Sequence, residues 1–184
     1  MTENARRARR ALASVTLALF VAAAPATAQK AGFAEDFETL RGKFTSLAGA
    51  MGTDTYGWRP MEGVRSVSEV YMLIAAEAYY LPGMWGATPP EGIEVGNRMW
   101  EELAAITDRA EVLEHLERSF AYATAELEKL PAARLSEEIQ FFGEQRTLAA
   151  GLYIMLADMH EHLGQAIAYA RTNHVVPPWS AGSQ

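Results

Sequence analysis

Three side chains in this sequence have the type and spacing to hold a cation. Asp158 and His162 stand four residues apart in a segment of helical period. That spacing puts both on one face of a helix, about one turn apart. A carboxylate and an imidazole so placed can share a divalent metal ion. They can also simply hydrogen-bond, the carboxylate holding the ring in one tautomer. Glu77 belongs to a second helical segment, in the series Val70, Leu73, Glu77, Leu81. A carboxyl on an apolar seam must be paired, protonated or set against a wet cavity. Two placements stay open: a helix rotated so that Glu77 lies at the rim, or a Glu77 that faces Asp158 and His162 across a polar pocket. The other histidines read differently. His160 points about 200° away from the Asp158 face at 100° per residue. His115 shares a polar face with Glu111 and Arg118 and reads as solvated, and His174 lies beyond a helix end. There is no Gly-rich phosphate loop, nucleophile elbow or cysteine, so phosphate-loop, acyl-serine and thiolate chemistry are not indicated.

The elements that must position these groups are helical. A first helix is expected from about Phe33 to Ala50, with Phe33, Phe37, Leu40, Phe44 and Leu47 at spacings of three and four. A second begins at the capping box Ser66-Val67-Ser68-Glu69 and ends before Pro82-Gly83. A short helix is expected at about Asn97 to Ala105. A third long helix starts at Thr107 or Asp108, carries Val112, Leu116, Phe120, Ala123, Leu127 and Leu130, and stops at Pro131. The fourth runs from about Gln145 to Thr172, with Leu148, Leu152, Met155, Met159, His162, Ala166 and Tyr169 on its seam. No segment reads convincingly as a strand. Four apolar seams must bury one another, so the expected fold is all-α, an antiparallel four-helix bundle. Up-down order is the simplest arrangement, and the long loop between the second and third helices allows a crossover. The aromatics Tyr56, Trp58, Tyr79, Tyr80, Trp85 and Trp100 gather near the ends of the second helix, either at a pocket mouth or as packing for the bundle end.

Residues 1–28 read as an export signal. Arg6, Arg7, Arg9 and Arg10 precede an uncharged apolar run, and Ala26-Thr27-Ala28 supplies the small-x-small cleavage pattern. The run is shorter than the ~20 residues that span a bilayer as a helix. Cleavage after Ala28 is therefore expected to leave a domain of residues 29–184 with no stable membrane span, located in the periplasm or outside the cell. The segment holds four of the 16 basic and one of the 23 acidic residues, so the remainder carries 12 and 22 and a net charge of −10. Such a surface repels phosphate backbones, and nucleic acid is not an expected partner. A domain of this length buries enough surface to fold without disulfides.

Several segments together resemble the DinB-like superfamily, in an exported subgroup. They are Tyr56-Gly57-Trp58-Arg59-Pro60, Gly63 to Val70, Phe142-Gly143, His160-Glu161-His162-Leu163-Gly164-Gln165 continuing to Arg171, and Val175 to Ser180. The resemblance implies a four-helix bundle, often a homodimer, in which many members bind a divalent metal through three histidines. Some relatives are thiol-dependent transferases or isomerases. Carried onto this chain, the motif's last histidine is His162, its partner one turn earlier is Asp158, and its third position, near 73, is Leu73. Leucine offers no lone pair. One expectation is thus a small-molecule-binding or interaction protein with a degenerate metal site. The alternative is a metal-dependent enzyme of transferase or hydrolase type, with Glu77 completing a rebuilt set beside Asp158 and His162 for Zn, Ni, Fe or Mn.

Overall fold

A computed structural model describes residues 3–181, with side chains from Pro25 onward. In chain order the elements are α1 (Glu3–Ala50), α2 (Val67–Tyr80), α3 (Asn97–Ala104), α4 (Arg109–Lys129), β1 (Glu138–Phe141), β2 (Glu144–Thr147) and α5 (Leu148–Thr172). The expected seams are the buried ones. Phe37, Leu40, Phe44 and Leu47 of α1, Val112, Leu116 and Phe120 of α4, and Leu148, Leu152 and Met159 of α5 all meet in one core.

The helix starts follow from their caps. Ser66 Oγ accepts from Glu69 N at 3.2 Å, and Glu69 Oε2 accepts from Ser66 N at 2.5 Å, so two otherwise orphaned donors of α2 are satisfied reciprocally. Asp108 Oδ1 accepts from Ala110 N and Glu111 N at the start of α4.

Two features depart from the sequence expectation. The first is the order of helices around the bundle. Each of α1 and α2 packs against both α4 and α5, so α1 and α2 occupy opposite corners, as do α4 and α5. A plain up-down order would instead set consecutive helices side by side. The connection from α1 to α2 makes the crossing possible: it spans the bundle end and is pinned there by Tyr56, whose buried hydroxyl donates to Ala48 O at 2.9 Å. The second departure is a β-hairpin where none was expected. β1 and β2 pair antiparallel with Phe141 opposite Glu144, so α5 begins at Leu148, and Thr147 caps it rather than lying inside it. Four-residue strands with two apolar side chains, Ile139 and Phe141, give too short an alternation to separate from loop. What holds the hairpin is tertiary. It lies against α5 at Gly151, where a Cβ would stand 2.3 Å from Met84 Cε and 3.2 Å from Ile139 Cδ1.

Most side chains of the expected export segment lie outside the described residues. The backbone of residues 26–28 continues α1, and the first buried apolar side chain described on that helix is Phe33. Among the described residues no helix is long and apolar enough to cross a membrane.

Candidate metal centre

α2 is enclosed on nearly every side, with 11 of its 14 residues buried. Glu77 is among them at 5% exposure, so it is not a rim residue. Its Oε2 is buried, and the Asp158 carboxyl is its hydrogen-bond partner when Glu77 carries the proton. On the neighbouring α5, Asp158 and His162 present their side chains one turn apart, with His162 Nε2 3.6 Å from Asp158 Oδ2. One donor atom from each of Glu77, Asp158 and His162 lies within 4.8 Å of the other two. They line a cavity of about 280 Å³ whose walls are otherwise Arg65, Leu73, Trp100, Phe142, Ile154 and Met155. Leu73 thus borders the same cavity one turn before Glu77. The carboxyl donor stands four residues further along the same helix face.

The imidazole is held in one orientation by a chain of hydrogen bonds that sequence reading did not assemble. His162 Nδ1 is 2.9 Å from Gln165 Oε1, Gln165 Nε2 donates to the Tyr169 hydroxyl at 2.9 Å, and that hydroxyl donates to Arg65 O at 3.1 Å. The direction of the chain follows from its end. A backbone carbonyl can only accept, so the single phenolic proton goes to Arg65 O. The tyrosine oxygen must then accept from the amide NH₂ of Gln165, which leaves Gln165 Oε1 facing the ring. An amide oxygen accepts, so Nδ1 carries the proton and Nε2 keeps its lone pair, aimed at the carboxylates. A ring so oriented is prepared for ligation through Nε2. The signal was present in the sequence as the i, i+3, i+7 series His162, Gln165, Tyr169 on one helix face.

Burial, and then the neighbouring Asp158, push the Glu77 carboxyl up to about 10, with Arg65 acting weakly in the opposite sense. Without a cation, Glu77 therefore keeps its proton at neutral pH. A divalent ion would displace that proton and take its place between the two carboxyls. One imidazole lone pair and two carboxyls fit Zn²⁺, Mn²⁺ or Fe²⁺ by donor type and number.

The remaining histidines lie elsewhere. His160 faces away from the site, as its spacing required, and its Nε2 stands 3.0 Å from both carboxylate oxygens of Asp36, clipping α5 to α1. His115 departs from the solvated reading. It is half-buried, its ring edge-on to Tyr79 and its Nδ1 3.4 Å from the Tyr79 hydroxyl, and burial pushes it below the usual histidine range. The clustered aromatics divide. Tyr56, Tyr79 and Trp85 are core and Trp58 packs on Tyr169, while Trp100 lines the cavity and Tyr80 backs its rim.

A four-helix bundle with metal-donor side chains facing each other from two packed helices defines a class of bundle proteins that build their sites in the core. The DinB superfamily model matches residues 36–166, and the chain belongs to that superfamily. The fold is also that of solved relatives. A DinB-like protein from Bacillus cereus superposes with a TM-score of 0.65 at 12% identity, covering 80% of this chain and 94% of its own. A DinB-like protein from Bacillus subtilis gives 0.60 at 18% identity, covering 79% and 93%. No curated protein matches the sequence.

Proposed function

We propose that this chain is an exported divalent-metal-binding protein whose Glu77, Asp158 and His162 hold the ion at the inner end of a small-molecule cavity. The observation that carries the reading is the convergence of one donor atom each from Glu77, Asp158 and His162 within 4.8 Å of one another. Two carboxyls this close do not both ionise without a counter-charge, and a divalent cation supplies one. When bound, the ion supplies Lewis acidity at that spot. The protein supplies the rest. Gln165 and Tyr169 hold His162 in the ligating tautomer, Leu73 and Met155 keep the inner wall apolar, and the open side of the cavity admits a small molecule to work on. This favours the rebuilt enzyme site over the degenerate one.

The test is titration of metal-stripped, untagged protein with Zn²⁺ and Mn²⁺ by calorimetry. Wild type is expected to bind one ion, and Glu77→Ala to lose at least tenfold in affinity. Equal affinity in the two proteins, or none in wild type, refutes the proposal. The second reading, a small-molecule binder that needs no metal, is favoured by Leu73, which fills one wall with a side chain that cannot ligate. It predicts that only an added imidazole, as in Leu73→His with Asp158→His, brings tight metal binding.

A further inference from the structure

The metal cavity is not isolated. A larger depression of about 690 Å³ lies against it, and Arg65, Leu73 and Trp100 line both. Arg65 thus borders both the outer depression and the cavity that holds the Glu77, Asp158 and His162 donors. Arg65 stands out by what it lacks. Nine arginines follow residue 28. Seven hold an acceptor: a carboxylate for Arg41, Arg59, Arg98, Arg134 and Arg146, and backbone carbonyls for Arg109 and Arg118. Among the described residues the guanidinium groups of Arg65 and Arg171 have no hydrogen-bond or ion-pair partner, and only Arg65 lines a cavity. This is notable in a chain where acids outnumber bases by 23 to 16. The nearest acid on the outer wall, Glu69, is already engaged by Arg59 at 3.2 Å and by Ser66 N. The Arg65 backbone is fixed, since its carbonyl accepts from Tyr169 and the next residue caps α2. A rigid base thus presents a five-donor planar cation with no protein acceptor, the arrangement that suits a carboxylate in bidentate contact.

Part of the cavity lining is aromatic, and it is built at a conformational disadvantage. Phe142 has φ 47° and Gly143 φ 83°, so the two form the tight turn of the hairpin in a conformation that asparagine or glycine adopts more readily. Phe142 remains 72% exposed, yet its ring stacks on Tyr80 at 5.8 Å and 20° and lines the inner cavity. A bulky residue in the left-handed region beside a site points to a role for its side chain at that place.

We propose that the ligand is a small amphipathic organic acid, its carboxylate held by Arg65 and its apolar body against Trp100 and Phe142, within reach of the metal donors. The inference rests on the metal-site reading only for what the ligand's inner end would meet.

The test uses metal-stripped full-length protein, so that the ion cannot bind the anion itself. The probes are 4-phenylbutyrate and its neutral counterpart 4-phenyl-1-butanol, titrated by NMR chemical-shift change. The acid is expected to bind at least tenfold more tightly than the alcohol. Arg65→Met should remove that preference by weakening acid binding to the level of the alcohol, and Arg65→Lys should restore part of it. Phe142→Asn should weaken acid and alcohol alike without lowering the thermal midpoint. Equal binding of acid and alcohol, an acid preference that survives Arg65→Met, or no binding of the acid at millimolar concentration overturns the proposal. Zn²⁺ binding without acid preference sinks this inference alone. Acid preference without Zn²⁺ binding sinks the metal reading and leaves this one standing.

Discussion

Replacing Glu77 with glutamine keeps the shape of the side chain and removes its proton equilibrium. In the unfolded chain this carboxyl has its ordinary value of 4.5, whereas in the fold burial and Asp158 raise it to about 10. Between these values the unfolded state has released the proton and the folded state has not. Folding must then take up a proton, and stability falls as pH rises. The contribution is fully present below pH 4.5 and is lost progressively toward pH 10. For a group 5% exposed there is little solvent screening to discount. The slope approaches 2.303RT per pH unit, which gives roughly 2–3 kcal/mol between pH 6 and pH 8. Glutamine has no such slope. Urea melts followed by circular dichroism at pH 6, 7 and 8, in the presence of a chelator, should show wild type losing about 2–3 kcal/mol relative to Glu77→Gln over that range. Saturating Zn²⁺ should flatten the wild-type slope, because an ion that holds the carboxylate replaces the proton. Parallel curves for the two proteins, differing by less than about 0.5 kcal/mol across the range, would refute the enclosed, protonated carboxyl.

Three further expectations follow from the packing and the site. Leu152→Ala, which empties a core position at 2% exposure, should destabilise the domain by about 2–5 kcal/mol in denaturant melts. Tyr169→Phe removes the hydroxyl that sets the direction of the Gln165–His162 chain. It should weaken Zn²⁺ binding by about tenfold, the usual effect of losing an outer-shell partner, with little change in thermal midpoint. Export should cleave the chain after Ala28, and intact mass or N-terminal sequencing of the exported protein would then find Gln29 first.

Much of this protein is written locally. Helix faces follow from period, so the buried residues of α1, α4 and α5 were legible one by one. Helix starts follow from side chains three residues apart, as at Ser66 and Asp108. The Asp158–His162 pair was equally legible, because i, i+4 proximity is a property of any α-helix. The family resemblance placed position 73 beside them, and Leu73 does border the cavity. Other features depended on parts of the chain far apart in sequence. α2 is apolar nearly all round, so its period could not say which way Glu77 points; only its enclosure by α4 and α5 decides that. The corner order of the helices depends on how the segment between α1 and α2 crosses the bundle end, which no local pattern encodes. The hairpin has too few residues to show a strand period, and its Ile139 packs closely over Gly151 of α5. Arg65 looks like any loop arginine until the fold sets it in the walls of two cavities with no acceptor holding its guanidinium. Faces and caps are decided by neighbours within one helical turn. The meeting of a buried carboxyl, an oriented imidazole and an unpaired guanidinium is decided only when separate elements pack.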